Sequence, residues 1–186
     1  MDWYKLDIPV TTQYIDLAKK HYELEGRYGQ NEDLLSPFRN LPIDIVTYKF
    51  RVMNDIEEIH PHKDRNNGQY NFDGEVVGAI QVPIENPTYA ETTWWNADKD
   101  IDDGWHFYKG NAKSLFDKDP NFIPEGFTKK STMVMDNKCA LIRIDGWHSV
   151  RRLNEGRRLI LSLIIDPRYT WKEITNRLMP LVEERI

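Results

Sequence analysis

The residues best suited to chemistry lie in Ile59-His60-Pro61-His62-Lys63-Asp64-Arg65, ahead of the turn-prone Asn66-Asn67-Gly68. Read as extended chain, this segment points His62 and Asp64 to the same side, because side chains alternate with a period of two. One imidazole and one carboxylate then converge on a single point. A second histidine, His148 in Gly146-Trp147-His148-Ser149-Val150, follows 84 residues after Asp64, far enough for intervening strands to fold back. Two neutral imidazoles and one carboxylate on one face of a metal make the donor set suited to iron(II), with the opposite positions left open.

A further element follows the turn Asn154-Glu155-Gly156, in Arg157-Arg158-Leu159-Ile160-Leu161-Ser162-Leu163-Ile164-Ile165. Leu159, Leu161, Leu163 and Ile165 give one wholly apolar face and leave Arg158, Ile160, Ser162 and Ile164 on the other. An arginine facing a pocket is costly unless an anion meets it. The distal carboxylate of a dicarboxylate fits its planar fork. Arg157 competes with Arg158 for this position, since a one-residue slip of register exchanges their faces.

The elements that must position these residues are mostly short β-type runs. They cover about 44–52, 75–84, 92–95, 105–108, 131–135, 139–144 and 157–165, separated by Gly, Pro, Asn and Asp clusters. Many short strands with no helices between them predict an antiparallel sandwich or barrel. Helices bracket them. Thr11 or Thr12 caps one running to about Glu25, with Tyr14, Ile15, Leu17, Ala18 and Tyr22 at helical spacing. Thr170-Trp171-Lys172-Glu173 forms a capping box ahead of Ile174, Leu178, Leu181 and Val182. The stretch 96–124, rich in Asp, Lys and Asn, reads as a long surface excursion of the kind that forms lids.

At 186 residues, without a Gly/Ser-rich or Pro-rich divider, the chain reads as one domain spanning 1–186. A hydrophobic fraction of 40% supports a core, and 30% charged residues mark a soluble protein. The net charge of -5 argues against general nucleic-acid binding, which needs a basic surface. Cys139 is the single cysteine, so no internal disulfide forms; its apolar surroundings predict a buried, inert thiol. The start lacks the basic and apolar regions of a secretory signal, and no run reaches a membrane span, so a cytoplasmic location without membrane association is expected.

In order and spacing, His62-Lys63-Asp64, His148 and Arg158, ten residues beyond that histidine, resemble the 2-oxoglutarate-dependent oxygenase family from about Asp44 to Asp166. Trp147-His148-Ser149-Val150 and the arginine strand look like the small prolyl- and aspartyl-hydroxylase-like branch. Where some members carry a serine two residues after the arginine, this chain has Ile160, with Ser162 at four.

The resemblance implies a mainly β fold with flanking helices, a double-stranded β-helix or cupin-like jelly roll. It implies Fe(II) held by His62, Asp64 and His148, and 2-oxoglutarate as co-substrate. Arg158 would bind the distal carboxylate, with Ser162 as a helper; Tyr48, on the strand before the ligand segment, is a further candidate for holding the co-substrate. The reaction implied is oxidation of a C–H bond, commonly hydroxylation, on an amino-acid, peptidyl or other small-molecule substrate, with release of succinate and CO2.

Two other classes stay open. His60-Pro61-His62 is itself an alternating ligand pair, so a cupin-like metal enzyme using His60, His62 and His148 without 2-oxoglutarate is one. A β-sandwich interaction module with no metal is the other. His62 is favoured over His60, although Pro61 has no N–H to fix the phase of the segment. His21, His106, Trp94, Trp95 and Trp105 are read as structural. The sequence does not fix the substrate or the oligomeric state.

Overall fold

Alternation in two long strands sets the layers of the molecule, seen here in a computed structural model that describes residues 1–26, 28–29, 31–53, 59–64, 74–98 and 123–184. Strand β3 (Ile45–Met53) pairs antiparallel with β10 (Arg158–Ile165) along nearly its whole length, Arg158 opposite Met53 and Ile160 opposite Arg51. Every residue of β10 is buried, so both of its faces meet packed layers.

The remaining strands are β1 (Trp3–Leu6), β2 (Tyr28–Gly29), β4 (Ile59–His62), β5 (Gly78–Glu85), β6 (Ala90–Ala97), β7 (Phe127–Val134), β8 (Cys139–Arg143), β9 (His148–Arg152) and β11 (Val182–Glu184). They form a seven-stranded sheet, β11-β1-β8-β5-β10-β3-β2, and a four-stranded sheet, β4-β9-β6-β7. All pairs among the described residues are antiparallel. From β3 to β10 the chain passes repeatedly between the β8-β5-β10-β3 and β4-β9-β6-β7 halves. That winding is a double-stranded β-helix, the jelly roll expected from the sequence.

The apolar face of β10, with Leu159, Leu161, Leu163 and Ile165, looks outward into a core shared with the helices. Helix α1 (Thr12–Glu25) is capped by Thr11, whose side chain accepts from the Tyr14 amide. Its buried face centres on Ala18 and His21, while Leu17 is 37% exposed and so lies off the face expected for it. Helices α2 (Glu32–Leu35) and α3 (Trp171–Leu178) complete this layer, and α3 begins with the Thr170–Glu173 capping box read from the sequence.

The opposite face of β10 looks into the barrel, where Ile160 and Ile164 pack with Ala79, Ile142, Trp94 and Met133. Cys139 is fully buried, and burial pushes its thiol up to about 12. The expected strand at 105–108, His106, Trp105 and most of the expected 96–124 excursion lie outside the described residues. No helix among the described residues is long and apolar enough to cross a membrane.

Candidate metal and anion site

Strand β4 is the edge of the small sheet and is only four residues long. It pairs with β9 so that His62 sits opposite His148 and Ile59 opposite Val150. Three steps on β4 thus match two on β9, a bulge that contains Pro61. Proline has no N–H for the ladder, and bulges at edges re-aim the side chains that follow. The imidazoles of His62 and His148 face each other with centroids 4.3 Å apart. Just beyond the strand, the Asp64 amide donates to the Ile144 carbonyl at 3.0 Å, bringing the carboxylate to the same point.

One ligand atom from each of His62, Asp64 and His148 can be chosen so that all lie within 4.8 Å of one another. Nδ1 of His148 lies 2.9 Å from the Gly146 carbonyl oxygen. A carbonyl only accepts, so Nδ1 donates and, in the neutral ring, Nε2 keeps its lone pair. Burial, reinforced by His62, holds the His148 pKa down to about 4 and thus keeps the ring neutral near pH 7. For Asp64, burial alone would raise the pKa, but the Arg51 guanidinium and the two histidines outweigh it and hold the group well below the usual carboxylate range. For His148 and Asp64, a neutral imidazole and an ionised carboxylate are the states a divalent metal requires. The donor set fits such an ion.

The three residues line a cavity of about 240 Å³, together with Arg51, Gln81 and Arg158. Arg158 points inward from the first residue of β10 and is 4% exposed. Its Nη1 reaches only the Met53 sulfur, 4.0 Å away, and its Nε and Nη2 have no hydrogen-bond partner among the described residues. Burial and the neighbouring Arg51 pull its pKa down to about 10, still charged at pH 7. Gln81 Oε1 is likewise buried and has no hydrogen-bond partner among the described residues. Buried cations without partners are strongly unfavourable, so this end of the cavity is built for an anion.

Arg157 faces the other way, its guanidinium bridging both oxygens of Glu85 at 3.2 and 2.6 Å on the outside of the sheet. The register therefore places Arg158, and not Arg157, in the cavity. Two expected co-substrate residues are not brought there. Tyr48 lies on the outward face of β3, its hydroxyl 2.5 Å from His21 Nε2 beneath α1, because Tyr48, Phe50 and Val52 point to the helices and Lys49, Arg51 and Met53 to the cavity, an alternation that reverses at Ile45 and Val46, where the pairing with β10 shifts. Ser162 shares the inward face of Arg158, but four residues at about 3.3 Å each put it roughly 13 Å further along the strand. It does not line the cavity. The side chain of His60, the competing ligand, lies outside the described residues.

Sequence reasoning missed Arg51 and Gln81. For Arg51 a signal was available: Tyr48, Phe50 and Val52 alternate with Lys49, Arg51 and Met53, which puts two cations on the face shared with Arg158.

No protein-family model matches the chain, and no curated protein matches it in sequence. Solved structures of similar chain path include HygX from Streptomyces hygroscopicus with nickel and 2-oxoglutarate bound. It shares 15% identity over 90% of this chain and 83% of that one, at a TM-score of 0.49. An N-substituted L-amino acid dioxygenase from Burkholderia ambifaria shares 13% identity over 88% and 82%, at 0.48. A Pseudomonas putida prolyl-4-hydroxylase shares 10% over 90% and 86%, at 0.45.

Proposed function

We propose that the protein is an Fe(II)- and 2-oxoglutarate-dependent oxygenase that oxidises a C–H bond of an amino-acid, peptidyl or other small-molecule substrate. The observation that carries this reading is Arg158, a buried guanidinium with two nitrogens lacking partners among the described residues, in one cavity with His62, Asp64 and His148. A metal site alone needs no such cation. A dicarboxylate that approaches the metal with one end leaves its other carboxylate for the arginine.

In this reading His62, Asp64 and His148 hold the iron, and Arg158 receives the distal carboxylate of 2-oxoglutarate through its planar fork. Bound iron(II) and 2-oxoglutarate would supply the oxidising power, with O2 consumed and succinate and CO2 released. The protein's share is placement. The Gly146 carbonyl fixes the His148 tautomer, the strand pairing of β4 and β9 sets the two imidazoles side by side, and β10 orients the arginine. Ile142 gives the cavity an apolar wall and packs in one buried cluster with Trp94, the cross-strand partner of His148.

The test is succinate formation by the purified protein with Fe(II) and 2-oxoglutarate, compared with His62→Ala, Asp64→Ala and His148→Ala. Loss of turnover in all three variants is expected. Succinate formation unchanged by these substitutions would refute the assignment.

A further inference from the structure

We propose that Arg51 is a positioning residue for the metal-binding carboxylate, holding Oδ2 of Asp64 so that Oδ1 alone is offered to the ion. The proposal rests on the metal-site reading above and adds to it a residue from the opposite sheet.

Asp64 sits past the end of β4, a short edge strand; its amide donates to the Ile144 carbonyl, and among the described residues no ladder pair extends to it. Arg51 stands on β3, a nine-residue strand paired with β10. Its Nη2 donates to Asp64 Oδ2 at 2.5 Å, and both side chains are largely sheltered, at 26% and 20% exposure. A charge-assisted hydrogen bond in such surroundings is short and strong. It ties the ligand carboxylate, on the small sheet's side, to a long strand of the larger sheet. The other oxygen, Oδ1, lies 3.6 Å from His62 Nε2, on the side where the two imidazoles meet.

The consequence is a limit on how Asp64 can bind. A carboxylate with both oxygens free can take a divalent ion through both, which strengthens binding and fills an additional position. Three-residue sites of this kind function by keeping positions open for ligands. With Oδ2 engaged by Arg51, the carboxylate contributes one oxygen, and the nearby guanidinium further weakens the pull on the ion. Arg51 therefore lowers metal affinity and preserves open coordination.

The test uses metal-free full-length protein, Mn(II) titrated calorimetrically into wild type, Arg51→Gln and Asp64→Ala, and the visible spectrum of each protein loaded with Co(II). Freeing Oδ2 and removing the nearby positive charge in Arg51→Gln should tighten Mn(II) roughly 10-fold, opposite in sign to the usual loss of an outer partner and equal to about 1.4 kcal/mol of relieved repulsion. It should also change the intensity of the Co(II) bands, which report coordination number. Should Arg51→Gln not fold by circular dichroism, Arg51→Met, which also removes both donor and charge, takes its place, with tightening in the same direction and of about the same size. Affinity and spectrum equal to wild type would overturn the proposal, as would any weakening of Mn(II) binding, whether partial or as complete as in Asp64→Ala. Wild-type protein that takes up no Mn(II) would overturn the metal-site reading itself, a result distinct from both.

Discussion

His62 and His148 are direct cross-strand partners, and the Gly146 carbonyl that fixes the His148 tautomer lies only two residues before it. The pair is therefore made by β4 and β9 together. Removing either imidazole, or Asp64, leaves two donors, and the affinity for Mn(II) should fall more than about 100-fold, beyond what loss of an outer partner costs. Because the three act as one unit, the double variant His62→Ala/His148→Ala should bind scarcely worse than either single one. Calorimetric titration of wild type, the three single variants and the double variant checks this, and additive losses would contradict it.

Arg158 makes a prediction in which stability and binding move in opposite directions. Its guanidinium is buried with two nitrogens lacking partners among the described residues, so replacing it by an apolar side chain of similar length removes an unmet charge. Arg158→Met should leave the ligand-free protein as stable as wild type or more stable, by roughly 1–4 kcal/mol. The same variant should raise the apparent KM for 2-oxoglutarate by at least about 100-fold, the loss expected for a charge-assisted pair. Urea unfolding and succinate kinetics measure the two. A destabilised variant with unchanged KM would show that Arg158 serves the fold.

Much of this arrangement was legible in the sequence because it depends on period-two alternation. Alternation places Arg158 opposite the leucine face of its strand and aligns His62 with Asp64. The short strands β1, β2 and β11 were not legible, since two to four residues carry no readable period and their pairing is decided by neighbours distant in sequence. Strand β9 was hidden by its composition, His-Ser-Val-Arg-Arg, whose polar residues answer to the site and to Glu91 on β6. The position of Tyr48, away from the cavity, was not legible for a different reason. Its strand could be recognised, but which face looks into the barrel depends on the helix layer, and α1 covers the face that carries Tyr48 and Phe50.

The buried His148 gives the metal-free protein a pH dependence of definite sign. Its pKa is held down to about 4 from an ordinary 6.5, chiefly by burial. The unfolded chain therefore binds the proton more readily than the folded one. Stability from this group is fully present above about pH 6.5 and is lost as pH falls toward 4, by about 3 kcal/mol over the whole window. Thermal unfolding of metal-free wild type and His148→Gln between pH 7.5 and 4 should show a steeper decline for wild type. Parallel curves would mean that His148 is solvated when no metal is bound.

Arg157 tests the register of β10. It bridges Glu85 on a partly exposed surface, where an ion pair contributes about 1 kcal/mol or less. Arg157→Ala should change unfolding free energy by no more than that and leave the KM for 2-oxoglutarate within about twofold of wild type. If Arg157→Ala instead raised KM as strongly as Arg158→Met, strand β10 would have to be shifted by one residue.

Tyr48 separates a structural role from a co-substrate role. It is fully buried, its hydroxyl lies 2.5 Å from Nε2 of the buried His21, and its ring meets Phe50 edge-on, all on the helix side of β3. His21 Nδ1 is engaged in turn by Asn31 at 3.4 Å, so the tyrosine ties α1 and the residue capping α2 to the sheet. Tyr48→Phe deletes one oxygen and leaves a buried ring nitrogen without its partner, a change worth about 1–3 kcal/mol. The variant should therefore unfold at lower urea concentration while its KM for 2-oxoglutarate stays within about twofold of wild type. A raised KM at unchanged stability would place the hydroxyl in the cavity, which would require the inward and outward faces of β3 to be exchanged and Arg51 to leave Asp64.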